Sequence, residues 1–96
     1  MQGIRHVAFS DAEEIDQTLR ATLSEMLGLP AEQVAAFTES SPLFGALPEF
    51  DSMAVAGLLT ELEERLGIII EDHDVDADML ETYGNLLTFA KAKALR

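Results

Sequence analysis

Apolar residues recur at three- and four-residue steps in three separate parts of this chain, and only one short run suits a strand. Ile15, Leu19, Leu23 and then Met26 or Leu27 form one series. Met53, Ala56, Leu59, Leu62 and Leu66 form a second, widened by Val55 and Leu58, and Leu86, Leu87, Phe89 and Ala90 form a third. That spacing puts each series on one side of a helix. Ile68–Ile70 is the β-prone run, and no second run exists to pair with it. An unpaired strand would leave its backbone donors and acceptors without partners. The chain is therefore expected to be all-α.

Helix boundaries follow from local chemistry. Ser10 and Glu13 have the spacing of a capping box and predict a first helix from about Asp11 to Leu27. Gly28 ends it and Pro30 blocks its continuation. Residues 28–51 read as a long connection punctuated by Pro42, Gly45 and Pro48. Its apolar residues Val34, Phe37, Leu43, Phe44 and Leu47 predict that it packs across the core. A second helix is expected from Ser52 to Leu66, closed by Gly67. Ile68–Ile70 then act as an apolar plug leading to a short third helix near Asp76 to Glu81. A last helix, about Gly84 to Ala94, carries Lys91 and Lys93 near its negative C-terminal end. The expected fold is a small four-helix bundle of three longer helices and one short one, with a long first loop. Residues 1–9 are expected to be a loose extension and residues 10–96 the folded domain. At 96 residues there is material for one core.

Charge and composition narrow the function. The formal net charge is −12, which opposes binding to nucleic-acid phosphates. Residues 49–81 hold eleven acids against the single base Arg65, a local charge of −10. Such a surface suits basic protein partners that are met quickly and released easily, although acids also simply keep a small protein soluble. With no cysteine there is no disulfide framework and no thiolate chemistry. The longest apolar block, Met53 to Leu59, is far short of the roughly 20 residues of a membrane span. The first residues lack the pattern of a secretory signal, so the expected location is cytoplasmic and the expected state a monomer.

Ser52 stands out at the predicted start of the second helix. As a nucleophile it would need a base and oxyanion donors, yet "FDSMA" lacks the glycines of a nucleophile elbow. His6 and His73 are the only histidines. Self-contained serine catalysis is therefore not expected. Two readings stay open. Ser52 is a helix cap, or Asp51 is the cap and Ser52 presents its hydroxyl outward, where the helix dipole favours an attached phosphate. The acid-rich run from Asp72 fails as a calcium loop. Asp74 and Asp76 fall at the third and fifth places, but Ala77 and Tyr83 replace the required glycine and glutamate. No residue set with metal-ligand spacing is found, and the chain lacks the parts of an enzyme.

An acidic helical chain with Asp51-Ser52-Met53 opening the second helix after a long loop resembles the acyl carrier proteins. "LTELEERLGI" at 59–68 resembles the end of that family's second helix, and "ETYGNLLTFA" at 81–90 its entry into the last one. The resemblance covers roughly residues 11–94. It implies that a separate phosphopantetheinyl transferase esterifies Ser52 with 4′-phosphopantetheine from coenzyme A. The arm's thiol then carries an acyl group as a thioester. It further implies an acyl-loading ligase or transferase and downstream acyl-using enzymes with basic surfaces, in fatty-acid- or polyketide-type biosynthesis or a specialised pathway. Glu49, Asp51, Met53, Glu61 and Glu64 are the candidates for partner recognition around Ser52 and along the second helix. Leu59, Leu62, Ile70, Leu80 and Phe89 are candidates for sheltering cargo, or are plain core.

The chain also departs from the family pattern. Glu49 replaces a common glycine, and Ala54 and Gly57 stand where fatty-acid-type carriers usually have acids. These differences point to a stand-alone carrier with dedicated partners. Glu49-Phe50-Asp51-Ser52 also departs from the G-G-x-S of peptidyl carriers, which favours acyl over aminoacyl cargo. The rival reading is an unmodified acidic interaction module in which Ser52 is only a cap. A divalent-ion sensor built on Asp72–Asp78 is a weaker third.

Overall fold

A computed structural model describes residues 12–95. The Ser10–Glu13 capping box and the extension over residues 1–9 lie outside the described residues. The elements are α1 (Ala12–Leu27), α2 (Ala31–Ala35), α3 (Ser52–Leu66), a 3₁₀ turn (Asp72–Asp74), α4 (Ala77–Glu81) and α5 (Tyr83–Ala94). Helix α1 packs against α3 on one side and α5 on another, with α2 against α1 and α4 against α5. The all-α expectation holds, with a second short helix added.

On α1 the buried line is Ile15, Leu19, Leu23 and Leu27. Leu27 takes the last place, and Met26 remains 39% exposed. Helix α2 corrects the expectation of a helix-free connection. Pro30 cannot continue α1, but its fixed φ of −59° suits the start of a new helix. Five residues are too few to show a helical period, so only the burial of Val34 marks α2.

Helix α3 spans the expected residues but turns a different line to the core. Leu58, Leu62 and Leu66 are buried, with Val55 and Leu59 half-buried. Met53 is 84% exposed and Ala56 is also exposed. Val55-Leu58-Leu62-Leu66 has helical spacing as good as the series that begins at Met53, and contact with α1 decides between them. Gly67 closes the helix at φ 65°, in the left-handed region that glycine adopts at no steric cost. Of the expected plug, Ile68 and Ile70 pack on the core. Ile69 is 72% exposed, because side chains alternate along an extended segment.

The acid-rich run is locally employed. The Glu63 carboxylate accepts from Ile70 N at 2.7 Å and that of Asp74 from Glu71 N at 2.9 Å. Asp76 caps α4 by accepting from Met79 N at 2.9 Å. Lys93 Nζ lies 2.6 Å from Asp74 and pins the 3₁₀ turn onto α5. Thr82 caps α5 by accepting from Asn85 N at 3.1 Å, so that helix starts at Tyr83.

Two arrangements fix the long connection. Leu43 N and Phe44 N donate to the carbonyls of Glu81 and Leu80 at 2.8 and 3.0 Å. Tyr83 N and Gly84 N donate back to Ser41 and Glu39 at 2.8 and 3.0 Å. A Cβ at residue 84 would sit 2.7 Å from the Glu39 carbonyl oxygen, so only glycine allows this approach. The second arrangement joins α1, α2 and α5. The hydroxyl of buried Tyr83 donates to Asp16 at 2.5 Å, and the Arg20 guanidinium lies 4.5 Å from the ring centroid. Arg20 also pairs with Asp16 at 3.1 Å and donates to the Val34 carbonyl at 2.6 Å. Partial burial works to raise the Asp16 pKa, but the Tyr83 hydroxyl and Arg20 together hold it below the usual carboxylate value. Burial first, then Asp16, pushes the Tyr83 hydroxyl far above its usual pKa.

Candidate functional site

Phe50 anchors the entry to α3. It is buried, meets Phe44 edge-on at 5.8 Å, and its N–H donates to the Leu47 carbonyl at 3.0 Å. One aromatic residue at the end of a loop carries no periodicity, so nothing in the sequence marks Phe50 as an anchor. Its anchoring sets the direction of the next two residues. Asp51, with extended backbone, accepts from Ala54 N at 2.9 Å through Oδ1, and its carbonyl accepts from Val55 N at 2.9 Å. Asp51 is therefore the cap of α3, and this corrects the reading in which Ser52 caps it.

Ser52 is the first residue of α3 and its side chain is exposed. Among the described residues its hydroxyl has no hydrogen-bond partner, and neither His73 nor any other base contacts it. With Ala54 N and Val55 N bonded to Asp51, the amides of Ser52 and Met53 are left facing outward at the positive end of the helix. Beside them lies an open dish of about 520 Å³, lined by Phe44–Pro48 and Phe50–Ser52. A hydroxyl without structural duty, two donors and an apolar dish suit a phosphate ester bearing a long chain.

The other candidates fall into two groups. Glu49, Asp51, Met53 and Glu64 are exposed around this end or further along α3. Glu61 is not free: Arg65 pairs with it at 2.9 Å and also reaches Glu25 and, at 3.3 Å, the Thr22 hydroxyl on α1. Its carboxylate helps to tie α3 to α1. Of the cargo candidates, Leu62 and Leu80 are core, and Leu59 and Ile70 pack against it. Phe89 lines an open pocket of about 320 Å³ with Asp76, Asp78, Met79, Asn85 and Thr88. Among the described residues no three His, Asp or Glu side chains converge as a metal site.

The phosphopantetheine attachment site family matches residues 17–90. An acyl carrier protein from Saccharopolyspora erythraea is 32% identical over 77 residues, 80% of this chain and 75% of that protein. The chain belongs to the acyl carrier protein family. The solution structure of a holo acyl carrier protein from Nitrosomonas europaea superposes with a TM-score of 0.72 at 36% identity, covering 81% of this chain and 92% of that one. As a member of the family the chain is a non-catalytic carrier whose cofactor is covalent 4′-phosphopantetheine. Among the described residues no helix of this carrier is long and apolar enough to cross a membrane.

Proposed function

We propose that Ser52 bears the 4′-phosphopantetheine arm and that this carrier delivers acyl groups on it, as thioesters, to enzymes of a lipid or specialised-metabolite pathway. The observation that carries the assignment is the division of labour at the start of α3: Asp51 does the capping and leaves Ser52 exposed and unpartnered. In the loading step Ser52 Oγ attacks the pyrophosphate of coenzyme A. A phosphodiester forms, adenosine 3′,5′-bisphosphate leaves, and the hydroxyl proton passes to a base of the transferase. The arm's thiol supplies the acyl-accepting group once bound. Glu49, Asp51 and Glu64 are the carboxylates left to meet basic groups of the transferase and of acyl-handling enzymes. The uncharged Ala54 and Gly57 favour dedicated partners over those of general fatty-acid synthesis.

The absence of cysteine gives a clean test. After incubation with coenzyme A, magnesium and a broad-specificity phosphopantetheinyl transferase, followed by desalting, the parent should titrate with one thiol per chain and Ser52→Ala with none. Equal thiol content in the two would remove Ser52 as the attachment site.

A further inference from the structure

The dish beside Ser52 is held open by its own backbone. Ala46 N and Leu47 N both donate to the Leu43 carbonyl, at 3.0 and 2.9 Å, while Leu43 N and Phe44 N are tied to the end of α4. Gly45 makes the turn at φ 92°, where a side chain is disfavoured, and the space that a Cβ would take there is empty. The wall is mostly apolar. Phe44 is 41% exposed, Ala46 and Pro48 are exposed, and Leu47 is half-buried. Among the described residues, the Gly45 N–H and the carbonyls of Phe44, Gly45 and Ala46 have no hydrogen-bond partner. At about 520 Å³ the dish falls within the roughly 300–1,000 Å³ of small-ligand sites. Of the pockets at α1–α2, at α4–α5 and here, only this one has Ser52 in its wall.

Resting on the assignment of Ser52, we infer that the dish seats the near half of the phosphopantetheine arm, which then lies over the connection and outside the helix bundle. The order of groups along the arm fits the order of the wall. The carbon bearing two methyl groups comes one methylene beyond the phosphate ester, so it meets Phe44, Leu47 and Pro48. The first amide follows, and the free backbone groups of Phe44–Ala46 are its partners. The thiol lies further along the arm, past the rim, where acyl-handling enzymes can reach it. Covering Phe44 and the two methyl groups removes apolar surface from water. Covalent attachment makes the contact intramolecular, and a backbone already fixed by hydrogen bonds keeps its ordering cost low. Asp51, the acid in the wall, has Oδ1 engaged with Ala54 N. The pocket at α4–α5 is a poorer host, because Asp76 and Asp78 line it and would repel the phosphate.

Isotope-filtered NMR tests the seat on the holo protein, with a labelled chain loaded from coenzyme A so that the arm is unlabelled. The arm's two methyl signals should lie upfield of those of free coenzyme A, through the rings of Phe44 and Phe50. They should also show NOEs to the Phe44 ring and to Leu47 or Pro48. Between apo and holo forms the amide signals of Gly45–Leu47 should shift. In Phe44→Ser the methyl signals should return toward their free positions, whereas Ile69→Ser, which alters an exposed apolar residue outside the dish, should leave them as in the parent. The NOEs of the parent decide the matter even where a variant folds poorly. Methyl NOEs to Leu59 or Ile70, or methyl signals at the free positions with no NOE to the chain, would overturn the seat and leave Ser52 as the attachment site. Failure of the parent to load at all would instead remove the assignment on which the inference rests.

Discussion

At the residue scale, the roles of Asp51 and Ser52 separate in a way the sequence could not decide. Both are good caps, and the spacing is the same whichever of them does it. The structure assigns the cap to Asp51 through a single contact, Oδ1 to Ala54 N at 2.9 Å. Asp51→Ala should therefore cost about 1 kcal/mol in urea unfolding, and Ser52→Ala only a few tenths. A larger loss from Ser52→Ala would mean that the serine has a structural role. Tyr83 shows the reverse case, a residue whose importance the sequence hides. Its hydroxyl donates to a carboxylate 67 positions earlier in the chain, a pairing no local pattern reveals. Tyr83→Phe should destabilise the fold by about 1.5–3 kcal/mol, the range for a hydrogen bond to a charged group. Chemical denaturation at neutral pH would measure it.

At the element scale, the three long helices were legible because each buries a face with a helical period, and the ends of the first two were legible from Gly28 and Gly67. Which face of α3 turns inward was not, since Met53 and Val55 each begin a line of suitable spacing. Helix α2 and the 3₁₀ turn also leave no periodic signal, because they are shorter than the repeat that would show them. The bonds between residues 39–44 and 80–84 lay out of reach for another reason. They join two irregular segments and depend on Gly84, which reads in the sequence as no more than an ordinary helix start. Gly84→Ala sets a Cβ against backbone and should cost about 1–3 kcal/mol, the usual penalty of overpacking. A melting temperature equal to that of the parent would contradict the close approach to Glu39.

At the scale of the whole molecule, the carrier combines a strongly acidic surface with an apolar dish beside its site. Eleven acids against one base in residues 49–81 repel one another, and added salt or magnesium should raise the melting temperature. Acid acts through Asp16. Its folded pKa lies below the ordinary 3.8, so its contribution is complete above that value and is lost as pH falls from there through the lower folded pKa. The stability lost between neutral pH and about pH 3 should be smaller in Tyr83→Phe than in the parent. The composition made the acidic, cysteine-free carrier legible, whereas the dish beside Ser52 depends on how Phe44 and Phe50 meet. If Ser52 is a free hydroxyl offered to another enzyme, intact-mass analysis with fragment ions after loading from coenzyme A should find the arm there. The expected result is one phosphopantetheine per chain, located on Ser52 and absent from Ser52→Ala. An arm located on Ser40 or Ser41, or an unmodified parent in a folded sample, would contradict it.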